Sequence, residues 1–394
     1  MQKFFGKQVS TLAAFILGLG VFYACDSKHT LIEAFLQNGA ETKLFTFTSG
    51  RNYELGQSVA ISGNVAIVGA RGLAYIYRWD GSSWVKEANL LAGFFEHPVA
   101  LNGNTAVVAD DRFVEVYRFN GSRWQEETQL TASTGSTRYG SAVSVSGELI
   151  AIGNNIDRRV YLYRFNGSNW VEEARLTPSA GHEGDEFGSS VSINGDVVIV
   201  GGETMTGNNQ VTGVAYVYRW TGSRWQEETI ILAGDAGEGK GNEFGRAVAV
   251  SGNLAIVGGA PYDNESGENF GSAYVFRYTG SIWRQEAKLS FKVTAIGAYF
   301  GSAIAVEGNL AIIGAPFGNE GSEAGSQPGG LAYVYRWDGN VWREQKVLTA
   351  SDGTSGNRFG AAVSISGRFA LIGAPGNYDY QTNNGPAAYV YVLD

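Results

Sequence analysis

The sequence predicts an all-β fold built from seven copies of one four-stranded unit, and three observations support this prediction. Fifty-five glycines, only seven prolines and 13% aromatic residues in a chain of 394 residues suit many short strands joined by tight turns. An apolar or aromatic residue followed by glycine recurs at intervals of about 40 to 60 residues, which is a period typical of repeat proteins. Each interval holds four short runs of alternating apolar residues between glycine-rich turns, the pattern of β-strands.

The repeated unit is clearest between Glu243 and Leu289, EFGRAVAVSGNLAIVGGAPYDNESGENFGSAYVFRYTGSIWRQEAKL. Its four predicted strands are GRAVAVS, LAIVGGA, SAYVFRY and IWRQEAKL. A marker residue that precedes the glycine occurs in all seven units, although the second unit has glutamate in place of the glycine: Leu55, Phe95, Tyr139, Phe187, Phe244, Phe300 and Phe359. One such sheet cannot bury both faces by itself, whereas sheets stacked in a ring can, so we expect a seven-bladed β-propeller of four-stranded blades.

The last unit lacks its fourth strand, because the chain reads AAYVYVLD up to Asp394. The segment ETKL, residues 41–44, matches the fourth-strand segment EAKL that ends at Leu289. The spacing from Leu44 to Leu55 also equals the spacing from Leu289 to Phe300. We therefore expect an N-terminal outer strand to complete the last blade and close the ring, with Leu44, Phe45 and Phe47 buried. The propeller is predicted to span residues 40–394, after a short linker at 26–39.

Large aromatic and charged residues recur in the hairpin between the third and fourth strands. All nine tryptophans lie there, and we expect rings such as Trp79 and Trp84 to pack between neighbouring sheets. On the other face an arginine precedes the turn and a glutamate follows it, as in Arg78 and Glu87, with Gln345 at the glutamate position of the sixth unit. This pattern predicts a solvated ladder of ion pairs on the outer strands, each pair worth about 0–1 kcal/mol.

The first 25 residues have the pattern of an export signal. Lys3 and Lys7 precede an apolar run that ends at Cys25, the only cysteine. Two interpretations of Cys25 stay open: it is acylated, as in bacterial lipoproteins, or ordinary cleavage occurs nearby. We expect an exported protein at the cell surface or in the periplasm, lipid-anchored at Cys25 or otherwise secreted.

The formal net charge of -9, without basic clusters, argues against nucleic acid as a partner and against charge-driven binding to anionic membranes. The expected membrane contact is the lipid anchor at Cys25 alone.

The repeated FG and GAP segments resemble the FG-GAP repeat family. FG occurs at Phe244-Gly245, Phe300-Gly301 and Phe359-Gly360, and GAP follows within units at Gly314-Ala315-Pro316 and Gly373-Ala374-Pro375. That family includes the seven-bladed propeller heads of integrin α chains and many bacterial surface proteins, so the resemblance implies the same fold over about residues 40–394.

The resemblance does not carry over the family's calcium sites. The family binds calcium through an Asp-rich loop between the FG and GAP strands, where this chain has turns such as Ser62-Gly63-Asn64 and Glu307-Gly308-Asn309. These turns offer too few carboxylates for a cation that takes six to eight oxygens. We expect no cofactor and no integrin-type metal site, although a loop-bound Ca²⁺ stays open. We also expect no catalytic residues, since the three histidines fall in unrelated settings.

Loop lengths single out one face of the predicted disc. The connections between second and third strands are long in blades 4–7, at 202–213, 262–271, 317–330 and 376–386, and short in blades 1–3. Function usually sits on variable loops held by a rigid scaffold. The candidate ligand-binding residues on these loops are Asp263, Asn264, Glu265, Glu268, Asn269, Asn319, Glu320, Glu323, Tyr378, Asp379 and Tyr380.

The sequence therefore predicts a binding or scaffold module that holds a protein or glycan partner on the long loops. Two alternatives stay open: a carbohydrate-active enzyme that uses loop carboxylates, and a structural interaction protein without a small-molecule ligand.

Overall fold

A computed structural model describes residues 36–38, 41–44, 54–91, 98–132, 137–179, 186–205, 211–234, 241–259, 261–262, 271–290, 298–318, 329–354, 356–376 and 385–393. Every named element within these ranges is a β-strand, and the strands form seven sheets. The prediction of an all-β, seven-bladed fold is confirmed.

The first three blades are four-stranded antiparallel sheets. Blade 1 consists of β3 (Val59–Ser62), β4 (Val65–Ala70), β5 (Leu73–Trp79) and β6 (Trp84–Leu91). Blade 2 consists of β7 (Val99–Asn102), β8 (Thr105–Ala109), β9 (Phe113–Phe119) and β10 (Trp124–Thr131). Blade 3 consists of β11 (Val143–Ser146), β12 (Leu149–Asn154), β13 (Arg159–Phe165) and β14 (Trp170–Leu176).

Blades 4 to 6 repeat this arrangement, with two short extra strands between blades 4 and 5. Blade 4 consists of β15 (Ser190–Asn194), β16 (Val197–Met205), β17 (Val211–Trp220) and β18 (Trp225–Ile231). The extra strands are β19 (Gly241–Asn242) and β22 (Pro261–Tyr262). Blade 5 consists of β20 (Ala247–Ser251), β21 (Leu254–Gly259), β23 (Ser272–Tyr278) and β24 (Trp283–Ser290). Blade 6 consists of β25 (Ala303–Glu307), β26 (Leu310–Ala315), β27 (Leu331–Trp337) and β28 (Trp342–Leu348).

Blade 7 combines both ends of the described chain. Its first three strands are β29 (Ala362–Ser366), β30 (Phe369–Ala374) and β31 (Ala387–Val392), and its outer strands are β2 (Glu41–Leu44) and β1 (Leu36–Asn38). β2 pairs antiparallel with β31, and Leu44 lies opposite Ala388 as Leu289 lies opposite Ala273 in blade 5. The predicted closure and its alignment on Leu44 are confirmed. β1, inside the predicted linker, adds a fifth strand beyond β2.

The hydrophobic core is divided among the interfaces between blades. Seven clusters of buried side chains occur in the described part of the chain, and each joins two neighbouring blades. The innermost strands contact one another around a complete circle, in which β29 of blade 7 meets β3 of blade 1. Leu44 is fully buried in the cluster between blades 7 and 1. Phe45 and Phe47, also predicted to be buried, lie outside the described residues.

A ring of hydrogen bonds follows the innermost strands near the turns that join first and second strands. In every blade the residue before the turn glycine accepts a hydrogen bond from the N–H of the equivalent glycine in the next blade, at 2.6–3.2 Å. The seven acceptors are Ser62, Asn102, Ser146, Asn194, Ser251, Glu307 and Ser366. The short SGN-type turns therefore have a structural role, because they fasten each blade to the next.

The FG and GAP glycines allow close backbone contact between neighbouring blades. In blade 7 the N–H of Gly360 donates to the carbonyl oxygen of Gly373, its GAP glycine. A Cβ on Gly314, the GAP glycine of blade 6, would lie 2.0 Å from the carbonyl oxygen of Gly360. Gly360 itself has a φ of 90°, in the region that favours glycine. The two motifs are therefore required by packing between blades.

The predicted pairs of arginine and glutamate are present in blades 1 to 5, but they are half-buried between blades rather than fully solvated. In blade 4 Arg219 pairs with Glu228 at 3.1 Å, and Glu228 also accepts a hydrogen bond from Nε1 of Trp283 in blade 5 at 3.0 Å. The Arg219 guanidinium stacks on the ring of Tyr278 in blade 5, 4.3 Å from its centroid. We call this arrangement of arginine, glutamate and next-blade tryptophan the clasp. It recurs at the five interfaces from blade 1 to blade 6, with glutamates Glu87, Glu127, Glu173, Glu228 and Glu286.

A β-bulge explains why simple strand alternation did not predict the clasp. In the fourth strand of blades 1 to 6 one extra residue is inserted, and in blade 4 it is Glu228, between Glu227 and Thr229. A bulge redirects a side chain out of the regular alternation, so Glu228 reaches the neighbouring blade. Partial burial alone would raise the pKa of Glu228, but hydrogen bonds from Arg219 and Trp283 outweigh it and lower the pKa.

Candidate functional site

The predicted binding residues lie outside the described residues, as does Cys25. They are Asp263, Asn264, Glu265, Glu268, Asn269, Asn319, Glu320, Glu323, Tyr378, Asp379 and Tyr380. What the structure describes is the ends of the loops that carry them. All of these ends lie on the face that carries the second-to-third-strand and blade-to-blade connections, such as 70–73 and 98–99, which we call the loop face.

The loop ends of blades 4 and 5 are joined into one small sheet. β19, which belongs to the connection between these blades, pairs in parallel with β17 through Asn242 and Thr212. β19 also pairs antiparallel with β22, where Gly241 lies opposite Tyr262. Three separate segments of the loop face are therefore tied together by the backbone.

The loops of blades 5 and 6 are tied to the blade that follows. Gly271, at the end of the blade 5 loop, forms a parallel bridge with Phe300 of blade 6. At the end of the blade 6 loop the N–H of Gly329 donates to the carbonyl oxygen of Thr354 at 3.1 Å, and the N–H of Phe359 donates to the carbonyl oxygen of Gly329 at 3.0 Å. These loops consequently start and end at fixed positions on the ring.

The loop face of blades 1 to 4 holds a polar cavity that the sequence did not reveal. Its volume is about 730 Å³, within the roughly 300–1,000 Å³ of small-molecule sites. The lining residues come from the FG segments and short loops of four successive blades: Glu54, Gln57, Ser58, Arg71, Pro98, Asp110, Asp111, Arg138, Gly140, Ser141, Asn155 and Ser189. Loop length directed attention to blades 4–7, whereas this cavity is lined in part by the short second-to-third-strand loops of blades 1–3.

The lining of the cavity combines charged, amide and hydroxyl side chains of different exposure. Arg71 and Arg138 are exposed, and Glu54, Asp110 and Asp111 are half-buried. Asn155 is only 9% exposed, and its backbone N–H donates to the Ser141 hydroxyl at 3.3 Å. The only signals in the sequence are the adjacent aspartates Asp110 and Asp111 and the Asn154-Asn155 pair, which resemble ordinary turn residues.

Two of the lining residues carry a buried polar atom that has no hydrogen-bond partner among the described residues: Oδ1 of Asn155 and the hydroxyl oxygen of Ser189. Buried polar groups are nearly always paired, so each exception needs an explanation. Both atoms are fully buried, so they lie behind the surface of the cavity and do not face its interior.

Neither a group of side chains suited to a metal ion nor a membrane-spanning helix is found in the described ranges. No group of three or more His, Cys, Asp or Glu side chains there is suited to hold a metal ion. Among the same residues no helix has the length and hydropathy needed to cross a membrane.

Comparison with known families supports the assignment made from the repeats. Residues 170–218, 225–276, 283–335 and 342–391 each match the model of the FG-GAP repeat. Each matched segment begins at the tryptophan of one fourth strand and ends in the third strand of the next blade, so it spans one interface and its core. No curated protein matches the chain. The chain therefore belongs to the FG-GAP repeat family, with the integrin-like seven-bladed propeller that its repeats predict.

Proposed function

We propose that this propeller is an exported binding module that holds a macromolecular partner, most simply a protein, on the long loops of blades 4–7. FG-GAP propellers commonly serve as protein-interaction modules. The proposed location is the cell surface or the periplasm, with Cys25 as a lipid anchor. The proposed activity is capture without turnover, with no cofactor required.

The observation that carries the proposal is the fixed base of these loops. β19 and β22 tie the loops of blades 4 and 5 to each other, and backbone bonds tie Gly271 and Gly329 to the following blades. A loop with a fixed base loses less conformational entropy when its tip binds, and this favours affinity.

Affinity capture with residues 26–394 tests the proposal. A variant with Asp263, Glu265 and Glu268 changed to alanine should lose a partner that the wild type retains. The control is Glu344→Ala, which lies on the exposed outer strand of blade 6 and should keep the partner. Capture with and without Ca²⁺ shows whether a loop-bound cation contributes. If the triple variant captures the partner as well as the wild type and Glu344→Ala do, the loop site is contradicted.

Turnover separates binding from the enzymatic alternative. The wild type is incubated with cell-surface polysaccharides, and the products are followed by chromatography. We expect no release of sugars. Release that stops in the triple variant would instead establish a carbohydrate-active enzyme with loop carboxylates, and retention of glycans but not proteins would make the partner a glycan.

A further inference from the structure

A lysine of the closing strand lies against a carboxyl group from the connection between blades 6 and 7. Lys43 belongs to β2, whereas Asp352 lies between β28 and β29, 309 positions later in the chain. Nζ of Lys43 lies 2.5 Å from Oδ2 of Asp352. The seam that closes the ring therefore brings together an amine and a carboxyl group, which are able to form an amide.

Lys43 is buried, which is unusual for a lysine. Its side chain is 9% exposed, and its Nζ lies 5.5 Å from the centroid of the fully buried Tyr389 ring. An ion pair away from water has a large desolvation cost. Transfer of one proton from Nζ to the carboxylate removes both charges and with them this cost. It leaves a neutral amine, which is the nucleophilic form of lysine, beside a carboxylic acid.

Tyr389 contacts the carboxyl group of this pair. Its hydroxyl donates to Oδ1 of Asp352 at 2.7 Å, on the oxygen that Lys43 does not contact. Burial raises the pKa of Tyr389 well above its ordinary value, and the charge of Asp352 raises it further, so the hydroxyl keeps its proton. A fixed donor at a carbonyl oxygen stabilises the negative charge that develops there when a nucleophile adds. Tyr389 therefore both orients the carboxyl group and activates it for attack.

A second carboxyl group belongs to the same cluster. Glu41 lies two residues before Lys43 on the same face of β2. It accepts hydrogen bonds from the hydroxyls of Ser351 at 2.9 Å and Tyr391 at 3.0 Å. Burial raises the pKa of Glu41 in spite of these hydrogen bonds, and the charge of Asp352 adds to the rise. The cluster therefore retains a proton more readily than separate carboxyl groups do, and amide formation requires a proton on the departing oxygen.

Blade 5 holds the same lysine–tyrosine pair in a different setting. Lys288 lies opposite Tyr274, in the register that Lys43 has in blade 7. Its Nζ lies 5.3 Å from the centroid of that ring. Lys288 is exposed, however, and residues 291–297, which follow it, contain no aspartate or glutamate. Burial and a facing carboxyl group thus distinguish the closing strand from the equivalent strand of blade 5.

We propose that Lys43 and Asp352 form an intramolecular isopeptide bond, which joins the closing strand covalently to the connection between blades 6 and 7. Nζ attacks Cγ of the carboxylic acid, the C–N bond forms, and the bond from Cγ to the hydroxyl oxygen breaks. The nitrogen loses one proton and the departing hydroxyl gains one, so one water molecule leaves and no group is oxidised or reduced. The side chain of Asp352 is 35% exposed, which gives the water a way out.

The contact between the two groups makes the condensation feasible without a cofactor. Groups held in reacting geometry behave as if their concentration were about 10⁵–10⁸ M. The bond fastens the one outer strand of the ring that comes from the other end of the chain. The chain has a single cysteine, so no disulfide within it can do this. A cross-link between residues 309 positions apart also restricts the unfolded chain, as a disulfide does.

Intact mass spectrometry of residues 26–394 tests the proposal. The wild type should be lighter than its sequence mass by one water molecule, whereas Lys43→Arg and Asp352→Ala should have their full sequence mass. Trypsin should release a branched peptide that joins residues 29–51 to residues 347–358, because the amide blocks cleavage after Lys43. Lys288→Arg, the matched control in blade 5, should lose water as the wild type does.

A wild type with its full sequence mass would overturn the proposal, and this result does not depend on whether any variant folds. Loss of water that persists in Lys43→Arg would also overturn it, because the water would then come from a succinimide at Asp352-Gly353.

Tyr389→Phe tests the activation of the carboxyl group. The fraction of cross-linked chain is followed by mass spectrometry after cell-free synthesis. The variant should form the bond about a hundredfold more slowly than the wild type, the usual effect of removing such a donor. Tyr274→Phe, the corresponding change in blade 5, should form it at the wild-type rate. Equal rates for the two variants would overturn the role of Tyr389.

Discussion

The five interfaces between blades 1 and 6 differ from the interface at which blade 7 meets blade 1. Each of the five has a clasp of arginine, glutamate and tryptophan, whereas at the closing interface Trp84 packs edge-on against Phe369 of blade 7, with ring centroids 5.2 Å apart. Val392 occupies the position of the clasp arginine and packs against the same cluster. The closing interface is therefore apolar where the others are charged.

The reason for the difference is the origin of the outer strand of blade 7. β2 begins at Glu41, which pairs with Tyr391 as Gln285 pairs with Phe276, and no bulged glutamate is inserted between Glu41 and Leu44. Glu41 and Lys43 face blade 6 instead, where Glu41 accepts a hydrogen bond from the Ser351 hydroxyl at 2.9 Å. A strand supplied from the other end of the chain thus closes the ring by apolar burial on one side and by polar contacts on the other.

Removal of the closing strand should have the largest effect. Deleting residues 26–47 should give an aggregating or unfolded product, because it exposes the edge of β31 and the cluster around Leu44. Deleting residues 26–35 is the control, since it keeps β1 and β2. Light scattering and thermal melting measure both, and a monomeric product of the larger deletion with unchanged melting would contradict the closure.

Leu44→Ala should lower the free energy of unfolding by about 2–5 kcal/mol, the usual cost of a leucine-to-alanine change in a core. Leu44 is fully buried, and its equivalent Leu289 in blade 5 is 6% exposed. Leu289→Ala is therefore a matched control that should cost a similar amount. Urea titration compares the two, and a cost near zero for Leu44→Ala alone would show that β2 is not an integral strand.

The aromatic contact at the closing interface should contribute a measurable coupling. A double-mutant cycle with Phe369→Leu and Trp84→Leu should give a coupling energy of about 0.5–1.5 kcal/mol, the value typical of aromatic pairs. The cycle of Phe369→Leu with Trp283→Leu should give none, because Trp283 lies at the interface of blades 4 and 5. Equal coupling in the two cycles would remove the distinction between the interfaces.

Acidification should change the contributions of Glu228 and Glu41 to stability in opposite directions. For Glu228, which belongs to a partly exposed ion pair, the effect should be at most about 1 kcal/mol, the smallest of the series. The pKa of Glu228 is lowered. Glu228 therefore stabilises the folded protein at pH values above the ordinary pKa of glutamate, and this stabilisation is lost as pH falls through the lowered pKa. Burial raises the pKa of Glu41 in spite of hydrogen bonds from Ser351 and Tyr391. The free energy of unfolding of the protein therefore falls as pH rises from the ordinary pKa of glutamate through this raised pKa.

Melting of Glu228→Gln and Glu41→Gln between pH 3 and 7 measures this difference. Glu228→Gln should melt below the wild type at pH 7 and approach it at pH 3. Glu41→Gln should melt at or above the wild type at pH 7 and lose that advantage in acid. Parallel pH profiles for the two variants would refute the contrast.

Repeat spacing was sufficient to predict the fold and the closing strand, because Leu44 precedes the marker Leu55 by the same number of residues as Leu289 precedes the marker Phe300. The bulge at Glu228 could not be predicted, since a bulge changes the pairing without changing the type of residue. The cavity was missed for a related reason. Asp110, Asn155 and Ser189 belong to three different blades, and only the ring geometry brings them together. The residues predicted on the long loops remain a prediction.

The most direct test of ring closure is amide hydrogen exchange of β31 in residues 26–394. β31 lies between β30 and β2, and successive N–H groups of a strand point alternately to its two neighbours. The decisive amides are those of β31 whose N–H points toward β2, because only β2 can protect them. The closed ring predicts that they exchange as slowly as the amides of β30 and lose protection together with those of β2. Fast exchange of these amides, as at an exposed sheet edge, while β30 stays protected would contradict the closure.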